Sequence, residues 1–308
     1  MEAMQGEVLA RVTRNGMVES VHTGHLIELD TDGSVLRSIG SVHIPVYPRS
    51  SVKSLQAAAM VRLGLKLNAK QLALVCASHS GSTEHFEMVR SILASVGKDE
   101  SALRNAKDLP LGEKEKRAWG DQEPSQIAQN CSGKHAGMIA TCVINGWPTD
   151  NYTDASHPLQ IAIKDEIEKL AREKVQFTTS DGCGAPLFAF SIAGLAQAIH
   201  TMTISEDPVD LEVMNAQRQF PEMVGGIGRL NTRQMQAVDG LFMKDGAEGV
   251  MVASVKDGRT LAMKVADGSM RPIGPVVHAT LKKWGFNSPD ETINVLGGGK
   301  VVGSIEPA

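Results

Sequence analysis

Ser50 and Lys53 stand three residues apart at the start of an Ala- and Leu-rich run. A serine hydroxyl is a weak nucleophile at neutral pH unless a base stands beside it. A lysine becomes that base when desolvation or nearby positive charge favours its neutral amine. Residues at i and i+3 share a helix face, so the two side chains can meet without help from the rest of the fold. The start of a helix adds positive potential that favours the deprotonated form of both groups. Taken alone, this spacing reads as an ordinary solvated helix face, and its companions are what change that reading.

The second serine is Ser78, in Cys76-Ala77-Ser78-His79-Ser80-Gly81. The apolar run 72–77 reads as a short strand that ends there in a turn, which exposes a side chain. The plainer alternative is a turn serine bonded to its own backbone. The second lysine is Lys264, on a strand expected over 260–266. Leu261, Met263 and Val265 share one face of that strand, so Lys264 points to the other, between Ala262 and Ala266.

A third group is Cys131-Ser132-Gly133-Lys134-His135, which opens a predicted helix. Residues 131, 134 and 135 lie on one side of its first turn. Cys183 sits in a loop of small residues over 178–186 that could approach them. Two thiolates and a nitrogen donor suit a tetrahedral zinc. His135 is the conventional nitrogen ligand and Lys134 an unusual one. The other reading makes both cysteines small buried hydrophobes. Gly133-Lys134 is no phosphate loop, because the G-x-x-x-x-G-K-[ST] spacing is absent.

These residues need elements to hold them. Strands are predicted over 8–12, 26–29 and 35–39, with Asn15-Gly16 and Asp32-Gly33 as hairpin turns. Pro45 and Pro48 break the pattern before Ser50. Helices are expected over 54–67, 84–96, 130–144, 158–174 and 271–284, and further strands over 249–255 and 260–266. Residues 97–128 read as short helices and loops. No repeat or low-complexity linker divides the chain, so a single domain over 1–308 is expected.

The chain has 308 residues, 42% hydrophobic and 21% charged, with a formal net charge of −4. A mild negative balance argues against nucleic acid or an anionic membrane as partner. No apolar run has transmembrane length, and no basic and apolar leader is evident. Four scattered cysteines are too few for a disulfide framework, which predicts a reducing, cytoplasmic location.

The order of elements is informative too. A nucleophile helix follows the first strands and a lysine sits on a late strand, as in penicillin-binding proteins and serine β-lactamases. With all the motifs together, the chain resembles the asparaginase II family, the class 3 or rhizobial-type L-asparaginases. The blocks that carry the resemblance are Arg49-Ser50 with Lys53, Cys76 through Ser80, Asn130 through His135, Asp181-Gly182-Cys183, Pro221 through Val224, and Lys244 through Gly249 followed by Lys264. The resemblance implies an α+β, β-lactamase/glutaminase-like fold: a largely antiparallel sheet with strands from both chain ends and helices packed around it. It implies hydrolysis of L-asparagine to L-aspartate and ammonia by two serine–lysine pairs, Ser50 with Lys53 and Ser78 with Lys264. It implies zinc held by Cys131, Lys134 and Cys183, which supports substrate binding, with Arg49, His135 and Asp181 close to substrate. It also implies a homodimer. Two departures stand out: Gly81-Ser82-Thr83 replaces the family's usual Gly-Glu-Pro, and Ser54 replaces a frequent proline. The missing carboxylate at Ser82 is expected to weaken asparagine binding. The rival readings are a zinc-hydroxide amidohydrolase and a non-catalytic, zinc-containing amino-acid-binding protein.

Overall fold

The structure, a computed structural model, describes residues 6–308. The chain gathers into two compact units, each assembled from separate stretches of sequence. One contains the chain up to Ser51, Phe190–Ile204 and Arg233–Ala308; the other contains Val52–Ala189 and Ser205–Thr232.

The first unit is built on an antiparallel sheet. Among the described residues its eight strands are β1 (Glu7–Arg14), β2 (Met17–Leu29), β3 (Val35–Ile39), β4 (Phe242–Gly246), β5 (Val250–Ser254), β6 (Thr260–Val265), β7 (Asn294–Gly297) and β8 (Lys300–Pro307). Their order is β7-β8-β1-β2-β6-β5-β4, and β3 also pairs with β2. Both ends of the chain therefore meet in one sheet, with Ala10 opposite Pro307 and Gly24 opposite Val265. The Asn15-Gly16 turn joins β1 directly to β2, which starts at Met17, well before the predicted strand. Strands β5 and β6 are buried at every position. The helix Ile192–Ile204, which the sequence reading did not identify, packs across β2, β5 and β6. The helix Ile273–Lys283 packs against β8.

The second unit is mainly helical. The helix Ser132–Ile144 is buried from Ser132 through Cys142 and packs against Lys53–Arg62, Ala69–Val75, Thr83–Ala94 and Pro158–Ala171. The helix Pro208–Gln219, also unforeseen, packs on Lys53–Arg62 and Ala69–Val75. The run expected as a strand over 72–77 is helical, in Ala69–Val75. Its start explains why: the Asn68 side chain accepts from Gln71 N at 2.9 Å, while the Gln71 side chain accepts from Asn68 N at 3.1 Å. That reciprocal cap favours a helix, and a short apolar run by itself does not separate strand from buried helix. The predicted loop over 178–186 is the tip of a hairpin. Phe177–Ser180 pairs antiparallel with Pro186–Ser191, from Phe177 opposite Ala189 to Ser180 opposite Pro186. An antiparallel sheet with strands from both chain ends, together with a helical layer, makes the fold α+β.

Candidate active site

The first unit holds Arg49, Ser50 and Lys264. The expected helix start at Ser50 is displaced. Arg49–Val52 forms a single 3-10 turn, and the α-helix begins at Lys53. Arg49 has φ of 54°, a left-handed conformation uncommon for a side-chain-bearing residue, so regular helix cannot start there. Ser51 holds the turn through its backbone N–H (3.2 Å) and its hydroxyl (2.7 Å), both donating to the Pro48 carbonyl. The turn lies against Gly246 of β4, where a Cβ would come within 2.4 Å of the Pro48 carbonyl oxygen. That close approach requires glycine and positions Arg49 and Ser50, both half-buried.

Lys264 on β6 is 8% exposed. Its ammonium donates to the carbonyls of Glu248 at 2.6 Å and Val265 at 2.7 Å. Burial lowers its pKa, against the opposing pull of Glu248 and Asp267. The residue occupies a strand buried on both faces, where the sequence suggested one apolar face and one open one.

The second unit holds Lys53, Ser78, Cys131, Lys134, His135, Asp181 and Cys183. Lys53 is 1% exposed. Its Nζ donates to the Ala77 carbonyl, and lies 3.1 Å from both Ser78 Oγ and Cys131 Sγ. Spacing in sequence offered no hint that Lys53 meets Ser78. Ser78 follows a helix, not a strand, and its N–H donates to the Val224 carbonyl at 3.0 Å. Ser80 Oγ donates to the Gly225 carbonyl at 3.1 Å. The Pro221–Val224 helix thus supports the loop that carries Ser78.

Gly133 is the reason this loop sits on the start of the helix Ser132–Ile144. A Cβ there would come within 2.5 Å of the Leu74 carbonyl oxygen, so only glycine lets the end of Ala69–Val75 press this close. His79 completes the contact: its N–H donates to the Asn130 carbonyl at 3.1 Å, and its Nε2 lies 2.8 Å from Ser132 Oγ.

Cys131 Sγ donates to Asn130 Oδ1 at 3.2 Å, and Cys183 is its neighbour. The neighbouring Cys183 side chain raises the pKa of Cys131, with burial adding to it, while Cys131 lowers that of Cys183 despite burial. Lys134 Nζ donates to Cys183 Sγ at 3.2 Å. Burial disfavours the Lys134 ammonium, but Cys183, Cys131 and Asp181 outweigh it and raise its pKa. The hairpin tip aims Cys183 inward, with Asp181 N–H donating to the Ala185 carbonyl and Gly184 N–H to the Asp181 carbonyl, both at 2.8 Å.

Among the described residues, no group of three or more His, Cys, Asp and Glu could hold a metal ion. That sets aside His135 as the nitrogen donor. Its Nδ1 lies 2.8 Å from the Tyr152 hydroxyl, and burial holds the ring pKa well below 6.5, with the Lys134 charge adding to the effect. A metal here would need the amine of Lys134 beside the two sulfurs, a donor set that the 3.2 Å Lys134–Cys183 contact brings together. Tyr152, His79 and Ser132 are site residues that the sequence reading missed. Tyr152 had one signal: it is one of only two tyrosines in a chain with 4% aromatic residues.

Direct comparison with the sequences of curated proteins gives no match. Among solved structures, the chain is similar to a β-lactamase from Mycobacterium bovis at 15% identity, covering 85% of this chain and 94% of that one, with a TM-score of 0.37. It is also similar to a Bacillus glutaminase at 12% identity, covering 85% and 91%, with a TM-score of 0.40. A hydrolase with promiscuous acyltransferase activity aligns at 9% identity, covering 82% and 91%, with a TM-score of 0.44. Likenesses this slight carry none of those proteins' chemistry to this chain. The sequence profile of the L-asparaginase II family is of another order, matching residues 10–306. Nearly the whole chain is covered, including every block from Arg49 to Lys264, and the chain belongs to the L-asparaginase II family of amidohydrolases.

Proposed function

We propose that this chain hydrolyses the side-chain amide of L-asparagine to L-aspartate and ammonia by serine–lysine chemistry. The observation that carries the reading is Lys53, 1% exposed, with its amine 3.1 Å from the Ser78 hydroxyl. A lysine buried this deeply needs compensation, and a serine within hydrogen-bond reach of an amine is the activated-nucleophile arrangement.

In this reading Ser50 attacks the amide carbon and Lys53 takes its proton as the C–O bond forms. Ser78 and Lys264 move protons around that step. The protonated amine then returns a proton to the leaving nitrogen, and ammonia departs. Water adds to the resulting ester and loses its proton to the amine; the acyl–oxygen bond breaks, the amine returns that proton to the serine oxygen, and aspartate leaves. The Lys53–Ser78 contact favours a second reading, in which Ser78 itself attacks. Arg49, His135 and Asp181 are assigned to substrate positioning.

Cys131, Lys134 and Cys183 are proposed to hold zinc. When bound, the metal supplies a Lewis acid that anchors a substrate oxygen. All four cysteines are free, which supports a cytoplasmic setting, and a homodimer is proposed from the family resemblance.

Ammonia release from asparagine, glutamine and peptide amides tests the activity. Lys53→Ala, and serine-to-alanine change at the attacking serine, should each lower kcat at least about a hundredfold in folded protein. Near-normal turnover in Ser50→Ala with loss in Ser78→Ala assigns the attack to Ser78. Full activity in both, with loss on chelation, favours attack by metal-bound water. Binding of asparagine without ammonia release overturns the enzyme reading.

A further inference from the structure

His135 contains a buried ring nitrogen whose protonation is decided by a neighbour. Tyr152 is fully buried, and its hydroxyl has two contacts: Arg104 N–H at 3.1 Å and His135 Nδ1 at 2.8 Å. A backbone N–H can only donate, so the phenol oxygen is an acceptor there. A phenol carries one proton, and among the described residues His135 Nδ1 is its one available acceptor. The reverse arrangement, with Nδ1–H donating to the phenol, would leave the phenol proton buried without a partner. Nδ1 is therefore the unprotonated nitrogen, and the proton of the neutral ring sits on Nε2.

Nε2 is buried and has no hydrogen-bond partner among the described residues. A buried N–H without an acceptor is unusual. Here it belongs to a ring that is itself fully buried. A nitrogen that carries a proton has no lone pair for a metal, so its complement is an oxygen acceptor.

We propose that Tyr152 is a positioning residue that locks His135 as an Nε2–H donor, and that this donor receives an oxygen of the amino-acid substrate. Tyr152 itself is held in place, with its carbonyl accepting from Gln160 Nε2 at 2.7 Å and its ring edge-on to His135, centroids 5.6 Å apart. The substrate half of the proposal rests on the amidohydrolase reading above; the tautomer half does not.

The test is long-range proton–nitrogen NMR of the protein as purified, labelled with 15N-histidine. The His135 ring is assigned by the signals that vanish in His135→Gln. The expected spectrum has a protonated Nε2 and a bare Nδ1. Tyr152→Phe keeps the ring and its packing, and should give a mixed or reversed tautomer. It should also raise KM for asparagine about tenfold, the scale of one lost hydrogen bond to a charged oxygen, with kcat changing much less. A protonated Nδ1 in the unsubstituted protein, or a tautomer unchanged in Tyr152→Phe, overturns the proposal. A shifted tautomer with unchanged KM overturns the substrate contact. If no amide is hydrolysed but the tautomer behaves as expected, the functional reading fails and the Tyr152 assignment stands.

Discussion

The contact between Lys134 and Cys183 explains why two cysteines and a lysine can share a buried place. An isolated buried ammonium is costly. The Cys183 sulfur 3.2 Å from Lys134 Nζ, with Cys131 and Asp181 nearby, offsets that cost. The same three groups are the donors proposed for zinc, and the prediction at this scale concerns them. Elemental analysis of purified protein should find about one zinc per chain. Cys131→Ser and Cys183→Ser should each lower that content severalfold, and chelation should raise KM more than it lowers kcat. Metal-free protein with full activity overturns the assignment. Abolished kcat at unchanged KM instead favours the zinc-hydroxide route.

Elements bring the residues to their stations through a few specific contacts. Gly133 lets one helix end settle on the start of another, and Gly246 lets the Pro48–Arg49 turn lie on β4. Ser82 has an element-scale role of its own as N-cap of the helix Thr83–Ala94. Its hydroxyl accepts from His85 N at 3.3 Å and lies 2.8 Å from His85 Nδ1, while Ser82 N donates to that same Nδ1 at 3.0 Å. It also borders a cleft of about 430 Å³ lined by Phe86, Lys114 and Trp119. A capping role predicts that Ser82→Ala costs about 1 kcal/mol of stability and leaves KM for asparagine nearly unchanged. Urea denaturation and steady-state kinetics check both. The substrate role expected from the missing carboxylate predicts that Ser82→Glu lowers KM; no change in KM in that variant makes the position one of helix capping alone.

At the scale of the molecule, stability should depend on pH through buried histidines. Burial lowers the pKa of His79 well below 6.5, with the neighbouring charges of His85 and Lys53 adding to it. Burial also lowers the pKa of His85, against the Glu222 carbonyl, which raises it. In the folded protein these rings stay neutral where the unfolded chain already binds protons. The linkage sign follows: the contribution is fully present above about pH 6.5 and is lost as pH falls below it, toward the depressed folded values. The loss is up to about 1.4 kcal/mol per pH unit for each such group. The midpoint of urea unfolding should therefore drop between about pH 7.5 and about pH 5.5, before carboxylates titrate. A flat midpoint across that range contradicts neutral burial of His79. None of the helices among the described residues is long and apolar enough to cross a membrane.

Much was legible in the chain alone because it depends on local rules. The Asn15-Gly16 hairpin, the strands β5 and β6, and the helices starting near Ser82, Ser132 and Pro158 follow from turn chemistry and periodicity. The family, too, follows from motif blocks in order. Where a short apolar run met an unnoticed cap, as at Asn68, the local reading failed and a helix replaced the predicted strand. Helix Ile192–Ile204 was missed for a related reason: it is buried over most of its length, so it has little polar face to reveal its period. The chemistry of the site lies furthest from sequence. That Lys53 reaches both Ser78 and Cys131, and that the Tyr152 hydroxyl meets one nitrogen of His135, are contacts between residues from 17 to 78 positions apart. Residue type and spacing name the groups able to do chemistry; which hydrogen each one holds is set by neighbours that only the folded chain supplies.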